Sequence, residues 1–220
     1  MRINKYVAQS TGISRRMADK AVAAGRVTIN GLAAETGSSV SESDAVQLDG
    51  RTVVPIATTI TIMFHKPVGC VVSREGQGSL TIYDLLPDEY RLLKPIGRLD
   101  KNTSGLLLLT NDGQLANELT HPRYAKTKIY EILLGKPLAP LHRQMINDRG
   151  IDLADGNSQL NLERMIEGDD THWRITMHEG RNRQIRRTFE SLSYYVVALH
   201  RTNFGSYSLG ELKPRETVPV

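Results

Sequence analysis

Residues 97–109 read GRLDKNTSGLLLL, a stretch that severely limits how the chain can fold. The apolar run Leu106–Leu109 predicts a strand buried in the core, yet Arg98, Asp100 and Lys101 crowd its entrance between Gly97 and Gly105. An aspartate between loop and strand commonly serves as a turn former or helix cap. Three features favour a ligand instead. The two glycines allow close approach of the backbone, Arg98 suits holding a carboxylate ionised or gripping a phosphate, and Thr103 and Ser104 add short hydroxyl donors. No second carboxylate stands nearby to complete an acid/base pair. A lone ionised carboxylate on a rigid strand suits covalent catalysis.

The 220 residues suffice for one large domain, or a small one plus a medium one. Cys70 is the single cysteine, which excludes an intrachain disulfide or a thiolate metal cage. The six histidines lack metal-binding spacing. No apolar stretch approaches the roughly 20 residues of a membrane helix, and MRINKYVAQS has no signal-peptide character. A reduced, cytoplasmic protein without metal, cofactor or membrane is expected.

The formal charge of +4 is modest but unevenly spread. Residues 1–31 carry Arg2, Lys5, Arg15, Arg16, Lys20 and Arg26 against one acid, Asp19, and a second basic cluster is Arg181, Arg183, Arg186 and Arg187. In the first segment, Ile3 and Val7 have helical spacing before a stop at Gly12. Ser14 is placed to cap a second helix that carries Met17 and Ala21 on one face and ends at Gly25. Val27 and Ile29 alternate before the turn Asn30-Gly31, and Val46 and Leu48 before Asp49-Gly50. A charge run is commonly a solvated helix face, but basic excess on so short a unit is the expected footprint for phosphate. A DNA-reading helix-turn-helix is the competing form, and the hairpin after the second helix counts against it.

Around residues 55–59 the pattern changes, which marks a linker. Ile60, Ile62 and Phe64 alternate as in a half-buried strand, and Pro67 and Gly69 break it. Leu115 and Leu119 place a short helix that His121-Pro122 ends. KIYEILL, HWRITMH and YYVVAL read as strands, and Ile185, Phe189 and Leu192 share one helix face. The expected class is α+β with a largely antiparallel mixed sheet, divided into residues 1–56 and 57–220.

GRLDKNTSGLLLLTNDG resembles the signature of RNA pseudouridine synthases, specifically the RsuA/RluB/RluE/RluF group that acts on ribosomal RNA. KPVG at 66–69, KIYE at 128–131 and EGRNRQIRR at 179–187 support the resemblance in the same order, and the first segment resembles an S4 RNA-binding domain. The resemblance implies that Asp100 is the essential catalytic residue. The C1′–N1 bond of a uridine breaks, the base turns, and C5 bonds to C1′, without redox change or cofactor. Attack at C1′, removal of a ribose proton and addition at C6 all remain open for Asp100. A stacked base is out of reach, so the nucleotide must flip.

The resemblance further gives Arg98 a part in displacing or holding the nucleotide. Tyr130 matches the tyrosine that stacks on the target ring, a contact of about 1–3 kcal/mol. Arg186 corresponds to the cation that pairs with the carboxylate. Lys66 borders the site, Leu199 packs on the base, and Arg181, Arg183 and Arg187 are expected phosphate contacts, as are Arg15, Arg16, Lys20 and Arg26 in the S4-like segment. Ser193 stands where glycine is usual, Thr188 replaces a commonly apolar residue, and Arg215 lies where a glycine turn would be unsurprising.

The expected activity is therefore isomerisation of uridine to pseudouridine in ribosomal RNA, with HEGRNRQIRR inclining towards the large subunit. The alternative is a non-catalytic RNA-binding ribosome assembly factor, which would be marked by loss of Asp100, Tyr130 or Arg186. All three are present. The expected partner is ribosomal RNA or a ribosome assembly intermediate, with no DNA, and the expected state is a monomer.

Overall fold

The structure is a computed structural model that describes residues 1–55 and 58–220. It divides into two compact units, 1–59 and 60–220. The expected linker at 55–59 includes residues 56 and 57, which lie outside the described residues.

In the first unit, α1 (Ile3–Thr11) ends on Gly12, whose φ of 77° is the left-handed conformation that glycine takes freely. α2 (Arg15–Ala23) starts where the Ser14 side chain accepts the Met17 N–H. A four-stranded sheet of order β2-β1-β3-β4 follows, with β1 Val27–Ile29, β2 Leu32–Ala33, β3 Val46–Leu48 and β4 Arg51–Thr52. Both tight turns have positive φ at their two central residues, Asn30-Gly31 and Asp49-Gly50, so the hairpin twist matches that of the strands. Ile3, Val7, Ala18, Ala21, Val22, Val27 and Val46 close the small core. Met17 departs from expectation. It is exposed, and the buried face of α2 runs through Ala18, Ala21 and Val22, where small side chains allow α1 and α2 to pack closely.

The second unit is built on a sheet of order β11-β12-β8-β13-β7-β5-β15, with β14 paired to β13 and β6 to β7. Its strands are β5 (Thr61–Lys66), β6 (Lys94–Ile96), β7 (Ser104–Thr110), β8 (Lys128–Leu134), β11 (Asn161–Arg164), β12 (His172–Met177), β13 (Val196–Phe204), β14 (Tyr207–Ser208) and β15 (Thr217–Pro219). A separate hairpin pairs β9 (Ile151–Leu153) with β10 (Gly156–Ser158). The helices are α3 (Gly113–Thr120), α4 (Pro140–Gln144) and α5 (Gln184–Ser191). All pairings between these strands are antiparallel except β13 with β7. No described helix is long and apolar enough to cross a membrane.

The leucine run sorts by strand alternation into two cores. Leu107 and Leu109 join Ile62 and Phe64 in the main core, whereas Leu106 and Leu108 join Ile96, Leu119 and Phe204 in a second one. With both faces covered, β7 has no solvent side. β5, expected to be half-buried, is likewise buried at every position but Met63, because it lies between β7 and β15 with apolar clusters on both faces.

One edge of β7 is shared. β13 pairs with it only at Ser104 and Gly105, and β6 takes over from Leu108 to Thr110. The loop from β6 to β7, which carries Asp100, therefore sits where β13 joins the sheet. Ser193 after α5 has φ 62° and Arg215 has φ 74°, so both occupy turns that glycine would enter more easily, at a cost of roughly 1–2 kcal/mol each. Thr188 is fully buried but satisfied, donating to the Gln184 carbonyl at 2.9 Å and contacting Ser158 Oγ at 2.7 Å.

Candidate active site

Four successive carbonyls of the Asp100–Thr103 loop are held. Lys66 Nζ donates to the carbonyls of Asp100 (3.1 Å) and Thr103 (2.9 Å), and also to that of Pro67 (2.9 Å). The Gly69 amide takes the Lys101 carbonyl at 2.8 Å, and Arg186 Nη2 takes that of Asn102 at 2.7 Å. Arg186 Nη1 reaches back to the Val196 carbonyl at 2.8 Å, tying the loop to the start of β13. The cations that surround the aspartate thus fix its backbone. Its carboxylate is half-buried and makes no hydrogen bond or ion pair among the described residues.

Two expectations change here. Lys66 is fully buried, so it is no RNA contact; it is an internal clamp whose ammonium is shared among three carbonyls. Burial holds its pKa below the usual lysine value, with the Cys70 and Asp100 charges opposing that shift. Arg186 does not pair directly with Asp100. Its two Nη groups are spent on carbonyls, and only the longer-range attraction of Asp100 remains, partly offsetting the lowering of the Arg186 pKa by burial and by Arg183. Lys66→Met is expected to destabilise this unit by about 3 kcal/mol, because buried carbonyls lose their donor. Urea denaturation measures it, and an unchanged midpoint would remove the clamp from the account.

Asp100 opens onto a cleft of about 730 Å³ whose walls include Arg98, Tyr130, Arg186, Leu199 and Arg201. Tyr130 and Leu199 come from neighbouring strands β8 and β13, are both buried, and give the cleft an apolar part of its lining. Arg98 is exposed in the cleft and has no partner among the described residues, so its guanidinium is available to a ligand.

The remaining basic residues divide by their partners. Asp155, beside the β9–β10 hairpin, accepts from Arg187 at 3.0 and 2.8 Å and from Arg181 at 3.0 Å. Arg181 also donates to the carbonyls of Gly156 and Asn157. These two arginines, expected as phosphate contacts, instead fasten the hairpin to the N-terminal end of α5, which brings Arg186 to the loop. Arg183 is exposed, 3.5 Å from Glu190, and lines the cleft. In the first unit Arg26 is tied bidentately to Asp49 at 2.7 and 2.5 Å and is not free for phosphate. Arg15 donates to Asn4 at 3.1 Å, while Arg16 and Lys20 are exposed without a partner among the described residues.

Several cleft residues escaped sequence reading, two of them beside Tyr130. Lys128 and Arg201 both line the wall beside Tyr130. The alternation of KIYE places Lys128 on the Tyr130 side of β8, which was a usable signal. Arg201 carried none, because an arginine inside a strand ordinarily faces solvent.

The sequence profile described as RNA pseudouridylate synthase matches residues 60–191, and the S4 domain profile matches residues 1–46. The chain is 39% identical to the ribosomal large subunit pseudouridine synthase B of Xanthomonas campestris pv. campestris over 98% of its own length and 45% of that protein. It thus spans about half the length of that relative. It is 34% identical to the ribosomal small subunit pseudouridine synthase A of Vibrio cholerae, over 98% of this chain and 94% of the other. A crystal structure of a pseudouridylate synthase superposes with a TM-score of 0.71 at 31% identity, covering 100% of this chain and 96% of that one. Fold and site together define an α+β domain with a charged cleft, preceded in the sequence by an S4 unit. The chain belongs to the RNA pseudouridylate synthase family.

Proposed function

We propose that the chain isomerises uridine to pseudouridine in ribosomal RNA, acting as a monomer with Asp100 as the catalytic residue. The carrying observation is the Asp100 carboxylate, which has no partner among the described residues and opens onto the cleft, while Lys66 and Arg186 are engaged with carbonyls of its loop. A carboxylate left unpaired at such a position is available to a substrate. A flipped uridine lies with its ring on Tyr130 and Leu199, and Arg98 grips the displaced strand. The glycosidic N1–C1′ bond breaks, the uracil rotates, C5 bonds to C1′, and the C5 proton leaves to solvent while N1 gains one. Atoms balance without a co-reactant.

The relatives include both large- and small-subunit enzymes, and the 178–187 segment inclines this reading towards the large-subunit RNA. Tritium release from C5-labelled uridine, with large- and small-subunit RNAs offered naked and partly assembled with protein, is the test. Release from one subunit's RNA establishes the reaction and names the substrate. RNA binding without release from any substrate would favour an assembly factor.

The S4 unit contributes backbone affinity through the exposed face of α2. Replacing Arg15 and Arg16 by Ala is expected to flatten the slope of log K against log salt by about 1.4–1.8, two phosphate contacts' worth. Arg26→Ala serves as the control, since Asp49 already neutralises that guanidinium. An unchanged slope in the double variant would end the role given to α2.

A further inference from the structure

Arg201 is 2% exposed and has no carboxylate within ion-pair distance among the described residues. Its Nε donates to the Leu106 carbonyl at 2.8 Å, and its Nη2 is buried without an acceptor. The guanidinium lies 4.8 Å from the Phe204 ring centre and 6.0 Å from that of Tyr130. Lys128 approaches the same Phe204 ring, its Nζ 5.3 Å from the centre, with one long hydrogen bond at 3.3 Å to the Lys126 carbonyl. Strand register explains the meeting: Phe204 stands opposite Lys128, and Arg201 opposite Tyr130. Two cations therefore share one aromatic ring in the cleft wall. The acid whose charge acts on Lys128 is Glu179, which already accepts from Arg181 and Gln184.

Two like charges drawn together out of water raise each other's cost. Burial, and then the Arg201 charge, lower the Lys128 pKa accordingly. Aromatic faces offset part of that cost, but the uncompensated pair of charges leaves a deficit that an oxyanion beside Lys128 offsets. Tyr130 is the immediate neighbour, so the anion would sit beside whatever stacks on that ring.

We propose that Lys128 and Arg201 form an oxyanion subsite that seats an RNA phosphodiester beside the nucleotide held on Tyr130. Lys128, only half-buried, makes the direct contact, and Arg201 is the fixed charge behind it. The assignment rests on reading the cleft as the RNA site.

Isothermal titration with uridine 3′,5′-bisphosphate, uridine and inorganic phosphate tests it. The bisphosphate is expected to bind wild type about tenfold more tightly than Lys128→Met, with Lys128→Arg within about threefold of wild type and uridine blind to the change. Lys128 carries the test because it is partly exposed, whereas replacing Arg201 endangers folding. Equal bisphosphate affinity in wild type and Lys128→Met, or no binding to wild type, overturns the subsite. Inorganic phosphate binding as tightly as the bisphosphate overturns its assignment to an RNA chain. Tritium release is read in parallel: Lys128-dependent bisphosphate binding with no release from any RNA would sink the proposed isomerisation and leave the anion site standing.

Discussion

Asp100→Asn is expected to lower single-turnover tritium release by about 10³-fold or more while leaving RNA affinity within a few fold. The amide is nearly isosteric, but it supplies neither a negative charge nor a nucleophilic oxygen. The wild-type carboxylate has no hydrogen-bond or ion-pair partner among the described residues, so its loss breaks no contact that holds the fold. The loop carbonyls stay bound to Lys66, Gly69 and Arg186. Thermal stability should therefore change by no more than about 0.5 kcal/mol. Separating the three readouts matters: lost release with intact binding and melting assigns chemistry to the carboxylate. Release within tenfold of wild type would remove Asp100 from the mechanism.

Gly105→Ala should have the largest effect on stability. Gly105 has φ 108°, a conformation that L side chains rarely adopt, and it pairs with Arg201 at the one parallel junction of the sheet. A Cβ there would lie 2.6 Å from the Arg201 nitrogen and 2.8 Å from its carbonyl carbon, and closer still to its carbonyl oxygen. These are backbone atoms of a central strand, so they have little freedom to retreat. Backbone strain of about 1–3 kcal/mol adds to overpacking of about 1–3 kcal/mol. A destabilisation of about 3 kcal/mol or more, read from urea unfolding, is the expected result. Gly97→Ala is the internal contrast: its φ is 72°, but an added Cβ meets nothing within 4 Å, so only backbone strain applies. A wild-type midpoint for Gly105→Ala would mean that β13 can shift at no cost. The two glycines framing Asp100 look alike in sequence and differ in backbone conformation and in what stands opposite them.

Much of the fold was legible because its signals are local. The Ser14 cap, the stop at Gly12 and the two hairpin turns each depend on residues a few positions apart. The apolar run located β7, alternation located β5, the segments KIYEILL, HWRITMH and YYVVAL located β8, β12 and β13, and helical spacing located α3 and α5. The β9–β10 hairpin went unread: DLADGNS has polar and glycine residues at most positions, and its pairing is stabilised by docking on α5 through Asp155. Met17 was placed on the wrong face of α2 because an apolar residue at a helix start fits two rotations of a short helix equally well.

The sequence by itself determined which residue types crowd the cleft: Asp100, Arg98, Tyr130, Leu199 and Arg186 all lie in its wall. Tertiary structure alone decided what each charge does. Lys66 and Arg186 hold carbonyls instead of facing a ligand, Arg181 and Arg187 share Asp155, Arg26 is spent on Asp49, and Arg201 stands buried without an acidic partner among the described residues. Burial is written in short-range hydrophobic periodicity, which one strand or helix carries on its own. The partner of a charge is set by groups tens of residues away, and only the closed sheet brings them within hydrogen-bond reach.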